Sequence, residues 1–217
     1  MKSRMISASD WKSTRLIRIL SAAVVAFAAL CMLSSANAAL LVYTTFLDGP
    51  SESPPNASPG TGSARVDYDD LAHSMRVRAT FSDLLGTTTA AHIHAPTAVP
   101  LAGTAGVATQ VPSFSGFPLG VTAGSMDTTF DLTLAGSWNP AYVTANGGTA
   151  AGAETALAAA LAAGKSYFNI HSTVEPGGEI RGFLQLIPEP TTVSLASAGV
   201  ATALLLARKR IRKRFSA

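Results

Sequence analysis

Short runs of alternating hydrophobic and polar residues recur along the middle of the chain. The clearest run covers residues 73–81 (HSMRVRATF), where Met75, Val77, Ala79 and Phe81 alternate with Arg76, Arg78 and Thr80. A period of two indicates a β-strand with one buried face. Further strand-like runs cover 40–47, 63–69, 90–95, 126–136, 166–172 and 179–187, and they are separated by segments rich in Gly, Pro, Ser and Asn. The pattern predicts an all-β, antiparallel domain.

One segment has a helical composition instead. Residues 152–164 (GAETALAAALAAG) are rich in alanine, the best helix former, and end on Gly164, which suits the position after a helix. A short helical turn is expected to start at Asn139, and residues 95–128 read as a long loop with no clear period. We therefore predict an antiparallel Greek-key β-sandwich, immunoglobulin-like or superoxide-dismutase-like, with one short helix inserted.

The first 38 residues have the three parts of a secretory signal peptide. Basic residues in 1–18 precede an apolar run at 19–35, and a small-residue pair, Ala36 and Ala38, follows. Signal peptidase is expected to cut between Ala38 and Ala39. An uncleaved membrane anchor is the alternative. The only cysteine, Cys31, lies in the apolar run, so the exported domain at 39–187 should contain neither a disulfide nor a catalytic thiol.

The last 30 residues, 188–217, also have three parts. Pro188, Glu189 and Pro190 precede an apolar stretch at 191–207, and six basic residues follow it at 208–214. The stretch has the minimum length for a transmembrane helix, and the basic tail would stay in the cytoplasm. This arrangement resembles the PEP-CTERM sorting signal. The resemblance implies recognition by an exosortase, a transient inner-membrane anchor, and delivery to the cell surface or the extracellular matrix of a Gram-negative bacterium.

The distribution of charge argues against nucleic acid as a partner. The whole chain has a formal net charge of +3, but eleven of its sixteen basic residues lie in the two terminal segments. Between Arg18 and Arg208 there are five basic and twelve acidic residues, a net charge of −7. Such a region repels phosphate groups.

Three short segments of the central region form a recognisable set of motifs. They are Ala91-His92-Ile93-His94, YFNIHSTVEPGGEIRG at residues 167–182, and ESPP at residues 52–55. Together they resemble the CHRD domain, a module of exported proteins, although Ala95 stands where that family usually has glycine. The resemblance covers nearly all of residues 39–187. It implies an extracellular module without an established mechanism.

Three histidines are the candidate functional residues. His92 and His94 are two positions apart on one strand, so their side chains project from the same face, opposite Ile93. On the strand at 166–172 the same alternation places His171 with Tyr167 and Asn169. If these strands are neighbours, three imidazoles converge and could bind copper or zinc, with Glu179 or an aspartate as an oxygen ligand or a support.

Two other interpretations stay open. The histidines could form a structural polar cluster with Asn169, Glu179 and Arg181, held by hydrogen bonds. A redox site like that of copper–zinc superoxide dismutases would need more histidines, and the fourth, His73, is expected to be a surface residue. We therefore expect a non-enzymatic structural or ligand-binding module, with exopolysaccharide or matrix proteins as partners. The alternative is a copper- or zinc-binding protein.

Overall fold

The computed structural model describes residues 40–187. The strands are β1 (Leu41–Asp48), β2 (Thr61–Asp69), β3 (Ser74–Ser82), β4 (Thr88–His94), β5 (Gly124–Asp131), β6 (Tyr167–Ser172), β7 (Ile180–Phe183) and β8 (Gln185–Leu186). Two α-helices, α1 (Pro140–Ala145) and α2 (Ala150–Ala162), and a 3₁₀ helix (Ala135–Ser137) lie between β5 and β6. The prediction of a mostly β domain is confirmed.

All eight strands belong to one antiparallel sheet. Their order is β4-β6-β7-β1-β2-β3-β5, with β8 also paired to β1, and the sheet curls into a half-barrel. The predicted two-sheet sandwich is not confirmed. The strands form one sheet because β1 pairs with β2 along its whole length and with β7 at its end, where Asp48 faces Arg181. β1 thereby joins two groups of strands that a sandwich would separate.

The concave face of the sheet carries the hydrophobic core. The predicted alternation holds on β3, where Met75 and Val77 are fully buried. The fully buried core side chains also include Tyr43, Leu47, Ile93, Trp138, Leu157, Leu161, Phe168, Ile170 and Ile180. Burial of each such side chain stabilises the fold by about 1.5–3 kcal/mol, so the inner face fixes the register of the strands.

Both helical segments form where the sequence predicts them. The Asn139 side chain accepts a hydrogen bond from the Ala141 amide and caps α1. α2 ends in a Schellman motif, in which the Lys165 amide donates to the Ala160 carbonyl and the Gly164 amide to the Leu161 carbonyl. Gly164 has φ +65°, which explains the glycine. The helical turn predicted at Asn139 is thus a short α-helix, and it precedes the predicted alanine-rich helix.

The end of β5 differs from the prediction. The sequence predicts a strand over 126–136, but the strand ends at Asp131 and Leu134 is 58% exposed. The Asp131 carboxylate accepts hydrogen bonds from the amide and hydroxyl of Thr133. This local turn competes with the strand ladder and stops it.

The predicted terminal signals lie outside the described residues. These are the signal peptide at 1–38, its cleavage site between Ala38 and Ala39, and the sorting signal at 188–217 with its transmembrane helix at 191–207. Within 40–187, no helix is both long and apolar enough to span a bilayer.

Candidate metal centre

The sheet brings the three histidines to one site. β4 pairs with β6 so that His92 faces Asn169 and His94 faces Tyr167, while His171 lies two residues further along β6. Residues directly opposite each other on paired strands share a face. Ile93 points into the core, fully buried, so all three imidazoles project from the outer face of the sheet.

The ring nitrogens of the three histidines are close together. One nitrogen from each of His92, His94 and His171 lies within 4.8 Å of the other two. The ring centres are 5.2 to 5.8 Å apart. Three nitrogens at about 2.0–2.1 Å from one metal ion would be about 3.3–3.5 Å apart. Side-chain adjustments of about 1 Å would therefore complete a three-nitrogen site.

Backbone carbonyls fix the tautomer of each imidazole. His92 Nε2 lies 2.7 Å from the Pro112 carbonyl, His94 Nδ1 lies 2.9 Å from that of Ala105, and His171 Nδ1 lies 3.0 Å from that of Pro176. A carbonyl only accepts hydrogen bonds, so each of these nitrogens must carry the proton. The other nitrogen of each neutral ring then has a free lone pair.

The nitrogens that keep these lone pairs are buried, and one metal ion could bind all three. His92 Nδ1, His94 Nε2 and His171 Nε2 have no hydrogen-bond partner among the described residues. Leaving one buried acceptor unpaired costs about 1–3 kcal/mol. A purely structural clasp explains the carbonyl-bound nitrogens but leaves three acceptors unsatisfied. A metal ion would satisfy all three, and histidine ligands in metal sites commonly donate their second N–H to a carbonyl.

Burial keeps the imidazoles neutral. Desolvation lowers the pKa of both His92 and His94 to about 4, although their hydrogen bonds to carbonyls oppose this shift. Burial also lowers the pKa of His171. Only the neutral form of imidazole can bind a metal, so the three ligands are available near neutral pH.

A second group of buried polar side chains lies beside the histidines. Asn169, between His92 and Arg181 in the strand register, has a buried and unpaired Oδ1. Arg181 donates to the carbonyls of Ser51 and Gly103 and stacks on the Tyr167 ring, which in turn stacks on His94. Desolvation raises the pKa of Glu52, 3.7 Å from Arg181, to about 7.

Glu179 lies elsewhere, which corrects the expectation that it supports the histidines. Its carboxylate accepts hydrogen bonds from the Ser58 hydroxyl and from the amides of Leu85 and Gly86. Strict alternation along the predicted strand at 179–187 would place Glu179 on the same face as Arg181. Glu179 precedes β7, however, and follows Gly178, whose φ of +138° interrupts the alternation.

His73 also lies apart from the cluster. Its side chain is 54% exposed, and its Nδ1 is 2.9 Å from the Glu154 carboxylate. The roles of the Ala105 and Pro112 carbonyls could not be predicted from the sequence, because any residue type supplies a carbonyl and the loop that contains them has no period. The buried Glu52 could have been found, since it belongs to the ESPP element.

A comparison with known families agrees with the sequence motifs. The family model of the CHRD domain matches residues 43–184, well over half of the chain. No curated protein and no solved structure gives a significant match. The matched range begins in β1 and ends just after β7, so it contains the whole histidine cluster. The chain belongs to the CHRD domain family.

Proposed function

We propose that this protein is an exported, non-enzymatic CHRD module that binds one copper or zinc ion through His92, His94 and His171. Two observations carry the proposal: one ring nitrogen of each histidine lies within 4.8 Å of the other two, and each ring has one buried nitrogen without a hydrogen-bond partner among the described residues. Imidazole nitrogen is a favoured ligand of both metals. The carbonyl-bound nitrogens hold each ring in the tautomer that the metal requires.

Metal binding would connect two strands and the two loops that orient their histidines. His92 and His94 belong to β4, and His171 belongs to β6. The carbonyls that orient them come from the loop after β4 and from the β6–β7 turn. An ion bound by all three rings would stabilise this corner of the half-barrel, since it binds only the folded arrangement.

The location that we propose rests on the family and on the terminal segments. Membership of the CHRD family suggests an extracellular or secreted module. Signal peptidase would remove residues 1–38, and an exosortase would recognise Pro188-Glu189-Pro190. The apolar segment at 191–207 would anchor the chain in the inner membrane before processing. Exopolysaccharide or matrix proteins would then be its neighbours at the surface.

Metal content tests the proposed site. The full chain, purified without a polyhistidine tag, is exposed to copper or zinc, desalted and analysed by elemental mass spectrometry. We expect about one ion per chain in the wild type, and much less in His92→Ala/His94→Ala and in His171→Ala. His73→Ala is the matched control, because His73 lies outside the cluster, and it should keep the ion.

Thermal unfolding gives a second measurement. A ligand at 100 times its Kd stabilises the folded state by about 2.7 kcal/mol. For a domain of this size, that corresponds to a rise in Tm of roughly 5–10 °C. If the wild type takes up neither ion and shows no rise, the histidines are a structural clasp and the proposal is wrong.

A further inference from the structure

We propose that the three-histidine cluster binds monovalent copper in preference to divalent zinc. This inference rests on the proposed function and adds the charge and identity of the ion. It follows from three properties of the site: the charge of its ligands, the fixed charge beside it, and the number of donors it offers.

The ligands carry no negative charge. Among residues 40–187, the metal-ligand group consists of His92, His94 and His171, without a carboxylate or a thiolate. Three neutral nitrogens leave the full charge of the ion uncompensated. The cost of transferring an ion from water into a poorly solvated site grows with the square of its charge, so a monovalent ion is favoured.

A permanent positive charge lies close to the cluster. The Arg181 guanidinium is 4.8 Å from the centre of the Tyr167 ring, and this ring is 4.8 Å from the ring of His94. The guanidinium is therefore within about 10 Å of His94, and its repulsion of a divalent ion is twice that of a monovalent ion. At an effective dielectric constant of about 20, the difference corresponds to roughly tenfold in affinity.

The charge of Arg181 is only partly compensated. Its nearest carboxylate, on Glu52, is 3.7 Å away, and desolvation raises the pKa of Glu52 to about 7.

The number of donors also favours monovalent copper. Monovalent copper is satisfied by three nitrogen ligands, whereas zinc held by three histidines takes a fourth ligand, water or a side chain, to complete a tetrahedron. The neighbouring side chain that could approach is Asn169, whose Oδ1 is buried and unpaired. An amide oxygen is neutral and hard, so it compensates no charge and suits monovalent copper poorly.

The test is a pair of anaerobic competition titrations on the untagged full chain. One uses a chromophoric chelator of monovalent copper with ascorbate as the reductant, and the other a chelator of zinc. We expect the Kd for monovalent copper to be at least 100-fold below that for zinc. Copper loaded under ascorbate should remain silent in electron paramagnetic resonance after exposure to air.

Asn169→Asp adds a negative charge beside the cluster and leaves all three histidine ligands in place, so it tests the effect of charge alone. The new carboxylate faces His92 across the β4–β6 pair. We expect it to tighten zinc binding roughly tenfold and to change the binding of monovalent copper much less. His92→Ala/His94→Ala should lose both ions.

Each outcome has a distinct meaning. A wild type that binds zinc as tightly as monovalent copper, or whose zinc affinity does not change in Asn169→Asp, overturns this inference and leaves the proposed metal site standing. A wild type that binds neither ion overturns the proposed function as well.

Discussion

At the scale of single residues, the fixed protonation of three imidazoles defines the site. Each ring donates a hydrogen bond from its one N–H to a backbone carbonyl. The other nitrogen of each ring has a buried lone pair without a partner among the described residues. The same burial that makes the lone pairs costly also lowers the pKa of each ring. A bound cation would therefore supply the partner that these lone pairs lack, and a proton can do so only at low pH.

This arrangement predicts how the stability of the metal-free protein depends on pH. His92 and His94 have pKa values of about 4 in the folded state, against an ordinary value of 6.5. Between these values the unfolded chain binds more protons, so stability falls as the pH drops from 6.5 towards 4. The loss is on the order of 3 kcal/mol for each histidine.

Glu52 opposes this loss, and its replacement should reveal it. Its pKa is about 7 in the folded state, against an ordinary value of 4.5, so its protonation favours the folded state as the pH falls through 7. Glu52→Gln removes that contribution. The free energy of unfolding is measured by urea denaturation, with a chelator present, at pH 7 and at pH 4.5. Its decrease between the two pH values should be about 3 kcal/mol larger in Glu52→Gln than in the wild type. Equal losses in both proteins would contradict this prediction.

At the scale of elements, the register of β6 with β4 and β7 assembles the polar face. His92, Asn169 and Arg181 lie in one row across the three strands, while Ile93, Phe168 and Gly182 form a row of the inner face. The loop after β4 adds the carbonyls of Ala105 and Pro112. The pairing of β7 with β6 thus places Arg181 beside the histidine cluster.

Gly182 allows β7 to approach β1 closely. A Cβ atom at this position would lie 2.0 Å from the Phe46 carbonyl oxygen and 2.2 Å from Thr45 Oγ1. Because the first contact is with backbone, relief requires the two strands to separate. We expect Gly182→Ala to lower the free energy of unfolding by about 3 kcal/mol or more, measured by urea denaturation.

Gly177 in the same motif is the matched control. It is exposed, and a Cβ atom there would meet nothing within 4 Å. Gly177→Ala should change the free energy of unfolding by less than about 0.5 kcal/mol. A Gly182→Ala variant as stable as Gly177→Ala would show that β7 does not need this close approach.

At the scale of the whole molecule, residues 40–187 form an acidic domain built on a single curled sheet, and we propose that the segments on either side of it are export and sorting signals. The described fold starts with β1 at Leu41, two residues after the predicted first residue of the mature protein, Ala39. Cleavage there would leave every strand intact.

Terminal sequencing tests the proposed processing. Mass spectrometry of the protein from the cell surface should find Ala39 as the first residue and no peptides from 191–217. Replacing Pro188, Glu189 and Pro190 with alanine should keep the apolar segment attached and the protein in the membrane fraction. If the variant is processed like the wild type, the exosortase proposal is wrong.

The sequence by itself determined the local features of this protein. Period-two alternation located β3 and the other long strands, and alanine content with Gly164 located α2, because these signals depend on neighbouring residues alone. The spacing of His92 and His94 fixed their common face for the same reason. The motifs around them identified the family.

Only the tertiary structure decided how these parts meet. It joined the strands into one half-barrel through β1 and placed His171 beside His92 and His94. It also placed Glu179 away from the histidines, where its carboxylate accepts a hydrogen bond from Ser58. It also supplied the carbonyls that set each tautomer. These outcomes depend on strand order and on contacts between residues far apart in the chain, and alternation within a strand does not encode which strands become neighbours.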